Sequence, residues 1–314
     1  WYTDCNVGNV ATIMGVRGGL EAIEERWRKP VNDFLACSGV AGSLNIQDIP
    51  YGACYIAKLA WALSGEALPG PFREIIEKRI HSCHFEFPGS THAMEMRLER
   101  TASSNRKTPE FSLLNTGETS CTGERCLRAH AYPVSPGERV CLYTRTYLFP
   151  EDFHDSRYDP SFSPLLYPGQ TVCGSVMLPE GGPDCRAYMY ARNARTKELY
   201  LSEEGVAEKG KWITMKYSVP AMEGVLLDEM GFAFEICAMS GNEAGFAVYI
   251  DDLYAEGGPD YTVDFSQEKE EVWTSVHREI SQFTRLKGNL FLEEGSLHLS
   301  CADFGEAYTG GYDW

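Results

Sequence analysis

The sequence predicts an α + β, multidomain chain in three parts. Helices come first over residues 1–80, then an antiparallel β-sandwich of the jelly-roll type over 85–257, then a β-rich segment over 258–314 that breaks off. Three observations predict this. Apolar residues recur every three or four positions up to about residue 80. From about residue 84 the period changes to two. Turn-forming clusters then punctuate the chain as far as Gly257-Gly258-Pro259-Asp260.

In the first helix Val7, Val10, Ala11 and Met14 form a stripe interleaved with Gly8, Gly15 and Gly18-Gly19. Glycine is costly inside a helix, so several together predict close packing or a backbone that approaches a ligand. A second helix is capped by Asp48, carries Pro50 in its first turn and stops at Gly65, with Ala53, Ile56, Ala57 and Ala60 expected to face inward. Two or three such helices cannot bury their own faces and read as the end of a larger bundle. Breakers at residues 65–72 place the junction with the next part at 66–84, although Phe72, Ile75, Ile76 and Ile80 carry a helical stripe of their own.

The sandwich is read from alternation. Met94, Met96 and Leu98 alternate with Glu95, Arg97 and Glu99, and the pattern repeats to a closing strand near residue 257. Alternation puts Met94, Met96, Phe232, Phe234 and Ile236 on inward faces, where burial contributes roughly 25 cal/mol per Å² of apolar surface. The third part has strand-like stretches at 261–265 and 296–304 and ends without a stop signal, so the chain reads as cut at both ends.

Composition narrows the function classes. With 43% hydrophobic and 23% charged residues the chain is globular. A net charge of −17 repels phosphate backbones and argues against nucleic acid as a partner. No apolar run approaches the roughly 20 residues that span a bilayer, which argues against a membrane partner. The eleven cysteines are scattered through apolar runs and read mostly as small buried hydrophobes of a reduced, cytoplasmic protein. The near pair Cys121 and Cys126 leaves a disulfide or metal clip as the minority reading. His81, His84 and His92 fit no metal-ligand spacing and read as interface residues.

Two stretches carry candidate chemistry. At Thr3-Asp4-Cys5-Asn6 an acid at a helix start either caps free N–H groups or helps to hold a hard divalent cation. With Gly15, Gly19-Leu20-Glu21-Ala22-Ile23, Arg26-Trp27 and Asn32-Asp33, this stretch resembles the C-terminal signature of the ADP-ribosylglycohydrolase family. The resemblance implies an all-α bundle holding two magnesium ions. They would orient ribose hydroxyls and activate water to cleave a glycosidic bond to ADP-ribose, in an ADP-ribosylated or related riboside substrate. Asp4 takes the place of the second motif Asp, and Cys5 that of a threonine ligand. Tyr2 stands where the family has its first Asp, and a neutral phenol is a poor magnesium ligand. The expectation is therefore the end of a hydrolase domain, inactive alone. The alternative is a non-catalytic glycan- or protein-binding protein with a degenerate hydrolase domain.

The strand-rich part resembles jelly-roll carbohydrate-binding modules, in its number of strands and its closing Val248-Tyr249-Ile250-Asp251-Asp252-Leu253. Tyr143, Arg145 and Tyr147 alternate on one strand, as do Arg186, Tyr188, Tyr190 and Arg192 on another. They form a ligand groove or, in the plainer reading, line the core with their hydroxyls at its rim. Asp251 and Asp252 either hold a structural calcium, as related modules do, or end the strand in a turn.

Overall fold

The computed structural model describes residues 3–37, 41–100, 108–149, 152, 162–205, 208–239, 245–261, 288–294 and 296–301. The helix expected at the start is α1 (Thr3–Gly18), so the helix begins at the Asp4-Cys5 pair. A 3-10 turn at Leu20–Ala22 leads to α2 (Glu25–Val31), which ends on Asn32 in the left-handed conformation. A small hairpin, β1 (Phe34–Ala36) with β2 (Ile46–Asp48), precedes α3 (Ile49–Ser64) and α4 (Gly70–Lys78). Asp48 caps α3 through the Tyr51 amide at 2.7 Å, and Gly65 closes it at φ 72°, as its sequence predicts.

Packing of α3 departs from expectation. Ala53, Ile56 and Ala60 face solvent, with Ile56 68% exposed, whereas Tyr51, Cys54, Tyr55 and Ala57 meet Ile75, Ile76 and Ile80. The helix carries apolar residues all round, so its spacing could not say which side is covered. The larger helical bundle is not formed among the described residues, and α1 is solvent-exposed along nearly its whole length.

The sandwich stands as predicted. One sheet has the order β10 (Ile213–Ser218), β7 (Thr171–Met177), β12 (Phe246–Glu256), β5 (Cys126–Tyr132), β4 (Glu110–Thr116). The other has β3 (Glu95–Glu99), β6 (Arg139–Arg145), β11 (Leu227–Ala238), β8 (Asp184–Asn193), β9 (Leu199–Leu201). All pairings are antiparallel. Met94, Phe232, Phe234 and Ile236 lie in the core between the sheets, and Met96 packs against it. Gly174 is required there, because a β-carbon on it would come 2.6 Å from the Phe232 ring. Further along, β13 (Gly288–Glu293) and β14 (Ser296–Cys301) form a hairpin in the third part.

The helical part is fastened to the sandwich rather than tethered. Asn32 donates to the Met94 carbonyl at 2.7 Å, and the Asp33 carboxylate accepts from the Thr91 amide at 2.7 Å. Ile46 and Phe34 join Tyr147, Leu148 and Phe162 in a second small core. The run expected to separate the parts contains α4, and just beyond it the Cys83 amide bonds to the Leu253 carbonyl of β12 at 2.8 Å. Cysteine usage follows expectation in part. Cys54, Cys83, Cys126, Cys141 and Cys173 are buried, while Cys5, Cys121 and Cys237 are exposed, and Cys121 and Cys126 are both free thiols.

Candidate functional site

The second sheet has an unusual outer face. Strand alternation sends Met96, Leu142, Met189 and Phe232 into the core, so their neighbours in sequence point outward. Register then aligns those neighbours in rows across the sheet. Glu95, Tyr143, Gly231, Tyr190 and Leu201 form one row, and Arg97, Cys141, Ala233 and Tyr188 the next. The middle of the face is thus a floor of small residues, Cys141, Gly231 and Ala233, flanked by tyrosines and charged groups. Gly231 is needed for the close approach of two strands, since a β-carbon there would sit 2.1 Å from the Leu142 carbonyl oxygen.

The charged groups are paired in detail. Arg145 grips Glu95 with two hydrogen bonds of 2.6 and 3.1 Å, and the Tyr143 hydroxyl donates to the same carboxylate at 3.2 Å. Glu229 receives Arg97 at 2.9 Å, Arg192 at 2.6 Å and the Tyr190 hydroxyl at 3.0 Å. Arg192 also forks onto Asp228 at 2.9 and 2.8 Å. The Arg97 guanidinium lies 5.0 Å over the Tyr143 ring. Burial pushes the Tyr143 hydroxyl and the Cys141 thiol each up to about 12, and it raises Glu229 despite its arginines.

Of the predicted ligand residues, Tyr143, Arg145, Tyr188 and Tyr190 therefore share one face. Tyr147 does not; it lies beyond the end of β6, buried in the second small core. The tyrosines do not line the inter-sheet core, because the opposite parity of each strand fills it. Sequence reading missed Glu95, Arg97, Asp228 and Glu229 as members of the site. The available signal was the acidic pair Asp228-Glu229 inside an otherwise apolar strand. A cavity of about 420 Å³ opens beside this face, between the β1–β2 hairpin, α3 and the sandwich, and Arg145 borders both.

The two expected metal centres fare differently. Asp4 lies in the first turn of α1, but its side chain, like Tyr2, is outside the described residues. Cys5 is exposed, and among the described residues no group of three His, Cys, Asp or Glu side chains could hold a metal. The described residues around α1 supply no cluster of ligands for a magnesium ion. The other candidate centre is at Asp251 and Asp252, where an arginine side chain approaches both carboxylates. The Arg79 guanidinium lies 3.1 Å from Asp252 and 3.7 Å from Asp251. Burial holds Asp251 up to about 6. His84 and His92 are interface residues as expected, with rings 4.6 Å apart and His92 against Asp48 at 3.2 Å.

No family model matches the chain, and no curated protein matches it. Among solved structures it is similar to a carbohydrate-binding module of the β-sandwich superfamily described as promiscuous in specificity. That match has 16% identity over 55% of this chain and 60% of that one, with a TM-score of 0.39. The C-terminal family 22 carbohydrate-binding module of Clostridium thermocellum Xyn10B aligns at 15% identity over 55% and 89% of the two chains, TM-score 0.32. A xylan-binding domain from Paenibacillus barcinonensis Xyn10C aligns at 12% over 56% and 91%, TM-score 0.31. The likeness is one of fold. None of the comparisons supports the ADP-ribosylglycohydrolase resemblance of the first 33 residues. No helix among the described residues is long and apolar enough to cross a membrane, which says nothing of a β-barrel.

Proposed function

We propose that the sandwich binds a neutral glycan on the outer face of the sheet β3-β6-β11-β8-β9. One observation carries this reading: Tyr143, Tyr188 and Tyr190 share that face with Arg97, Arg145 and Arg192 around a floor of small residues. A sheet face turned away from the core ordinarily carries simple polar residues. Tyr190 and Tyr143 are buried beneath the charged groups, so the half-buried Tyr188 ring is the apolar surface on which the C–H face of a sugar can stack. Adjacent guanidinium and carboxylate groups set donors beside acceptors, which suits neighbouring hydroxyls that both donate and accept. Arg97, Arg145 and Arg192 are matched by Glu95, Asp228 and Glu229, so an uncharged ligand can bind without breaking an ion pair. The acidic chain as a whole disfavours anionic ligands. On this reading the helical part is a scaffold packed beside the binding face.

The test is affinity electrophoresis and calorimetry against neutral xylan, mixed-linked β-glucan and mannan. At least one should retard the chain. Tyr188→Ala should weaken that binding about tenfold or more, as loss of an aromatic contact at the centre of a site does. Retention by none of the three, or binding indifferent to both Tyr188→Ala and Arg97→Leu, would remove the proposal.

A further inference from the structure

Arg79 follows the last residue of α4 and sends its side chain into the sandwich, where it is 14% exposed. Three carboxylates meet it there. Its Nη1 lies 3.2 Å from Glu86, its Nε donates to Asp252 at 3.1 Å, and its Nη2 lies 3.7 Å from Asp251. Nη2 also donates to the Thr122 hydroxyl at 2.8 Å. The acids are themselves held in place. The Cys121 and Thr122 amides donate to Asp251 at 3.0 and 2.8 Å, Ser82 donates to Asp252 at 2.8 Å, and the Glu124 amide donates to Glu86 at 3.0 Å. Asp251 Oδ1 is buried and makes no hydrogen bond among the described residues.

Consecutive residues of a strand point to opposite faces, so adjacent Asp251 and Asp252 should not share one partner. They do so because β12 breaks register between Asp251 and Tyr254, with Asp252 at φ 55°. A non-glycine residue in that conformation is strained, and the bulge turns both carboxylates toward one point. Hard oxygen donors converging in this way suit a calcium ion. Here the point is held by a guanidinium.

We propose that Arg79 is the resident cation of this three-carboxylate site, serving where a calcium ion would otherwise bind and fastening residues 70–86 to β12. An arginine fork and a metal ion cannot occupy the same space, so the unmodified chain gains nothing from calcium. Removing the arginine leaves Asp251, Asp252, Glu86 and the Thr122 hydroxyl facing a vacated centre, which becomes a calcium site.

Thermal unfolding with and without millimolar calcium tests this. The unmodified chain should melt at the same temperature in both conditions. Arg79→Ala should melt roughly 10 °C lower, the scale expected for an ion-pair network left without its cation. Calcium should restore most of that loss, and adding Asp252→Asn to Arg79→Ala should abolish the recovery. Arg79→Lys keeps a positive charge and should remain indifferent to calcium. If Arg79→Ala does not fold by itself, its refolding yield from urea with and without calcium gives the same readout. A calcium-dependent rise in Tm of the unmodified chain, an unchanged Tm for Arg79→Ala, or no calcium response of that variant by either measure would overturn the proposal.

Discussion

Two acidic pairs, Asp228-Glu229 and Asp251-Asp252, each lie at a break in strand register and each turn both carboxylates toward one arginine. The physical device is the same in both. A bulge cancels the alternation that would separate neighbouring side chains. At Asp251 it has a measurable consequence. The carboxyl holds its proton up to about pH 6 in the fold, against an ordinary value of 3.8, because burial outweighs the nearby Arg79. Between those values the folded chain binds more protons than the unfolded one, so stability falls as pH rises through the window. Asp252 and Glu86 share its site, so the comparison must be with a variant. In urea unfolding, going from pH 4 to 6.5 should lower the unfolding free energy of the unmodified chain, relative to that of Asp251→Asn over the same interval, by on the order of 2–3 kcal/mol. An equal slope in both proteins would place the proton elsewhere.

Among elements, α1 stands apart. Val10, Ile13 and Val16 are 60%, 66% and 85% exposed, so its apolar residues contribute little burial to the described fold. Ile13→Glu should therefore leave the unfolding free energy within about 0.5 kcal/mol of the unmodified chain. The same change should reduce self-association in sedimentation experiments, because exposed apolar surface promotes it. A drop of several degrees in Tm would mean that α1 is packed in solution. In α3 the apolar residues surround the helix, and α4 covers only one side.

At the scale of the molecule, helices and sandwich are joined by buried polar contacts and by small cores that straddle the junction. Asp33 accepts hydrogen bonds from Thr91 and His92 ahead of β3, so Asp33→Ala leaves those amides without their partner. The expected loss is about 1–2 kcal/mol of unfolding free energy within a single transition, followed by far-UV and near-UV circular dichroism in urea. Two separated transitions would show instead that the helical part unfolds independently of the sheets.

The change of period near residue 84 was enough to place the two sheets and to put Met94, Phe232, Phe234 and Ile236 between them. In those strands the parity is written in the immediate neighbours. The start of α1 at the Asp4-Cys5 pair and the ends of α3 were legible for the same local reason: capping residues act within one turn. The tyrosines were a harder case, because β6 and β8 carry apolar or aromatic residues at both parities. Only the register of β11 between them placed Tyr143 and Tyr190 on the outer face, and only the end of β6 sent Tyr147 elsewhere. Asp251 and Asp252 were read as a calcium site or a turn, and neither reading found Arg79 beside them. Arg79 lies 173 residues from Asp252 in sequence, and no periodicity reaches across that distance. The sequence alone determined the parity of the strands that alternate cleanly and the caps of α3. Strand order, bulges and the charge that fills the acidic site were decided by tertiary packing, because each depends on residues brought together from distant parts of the chain.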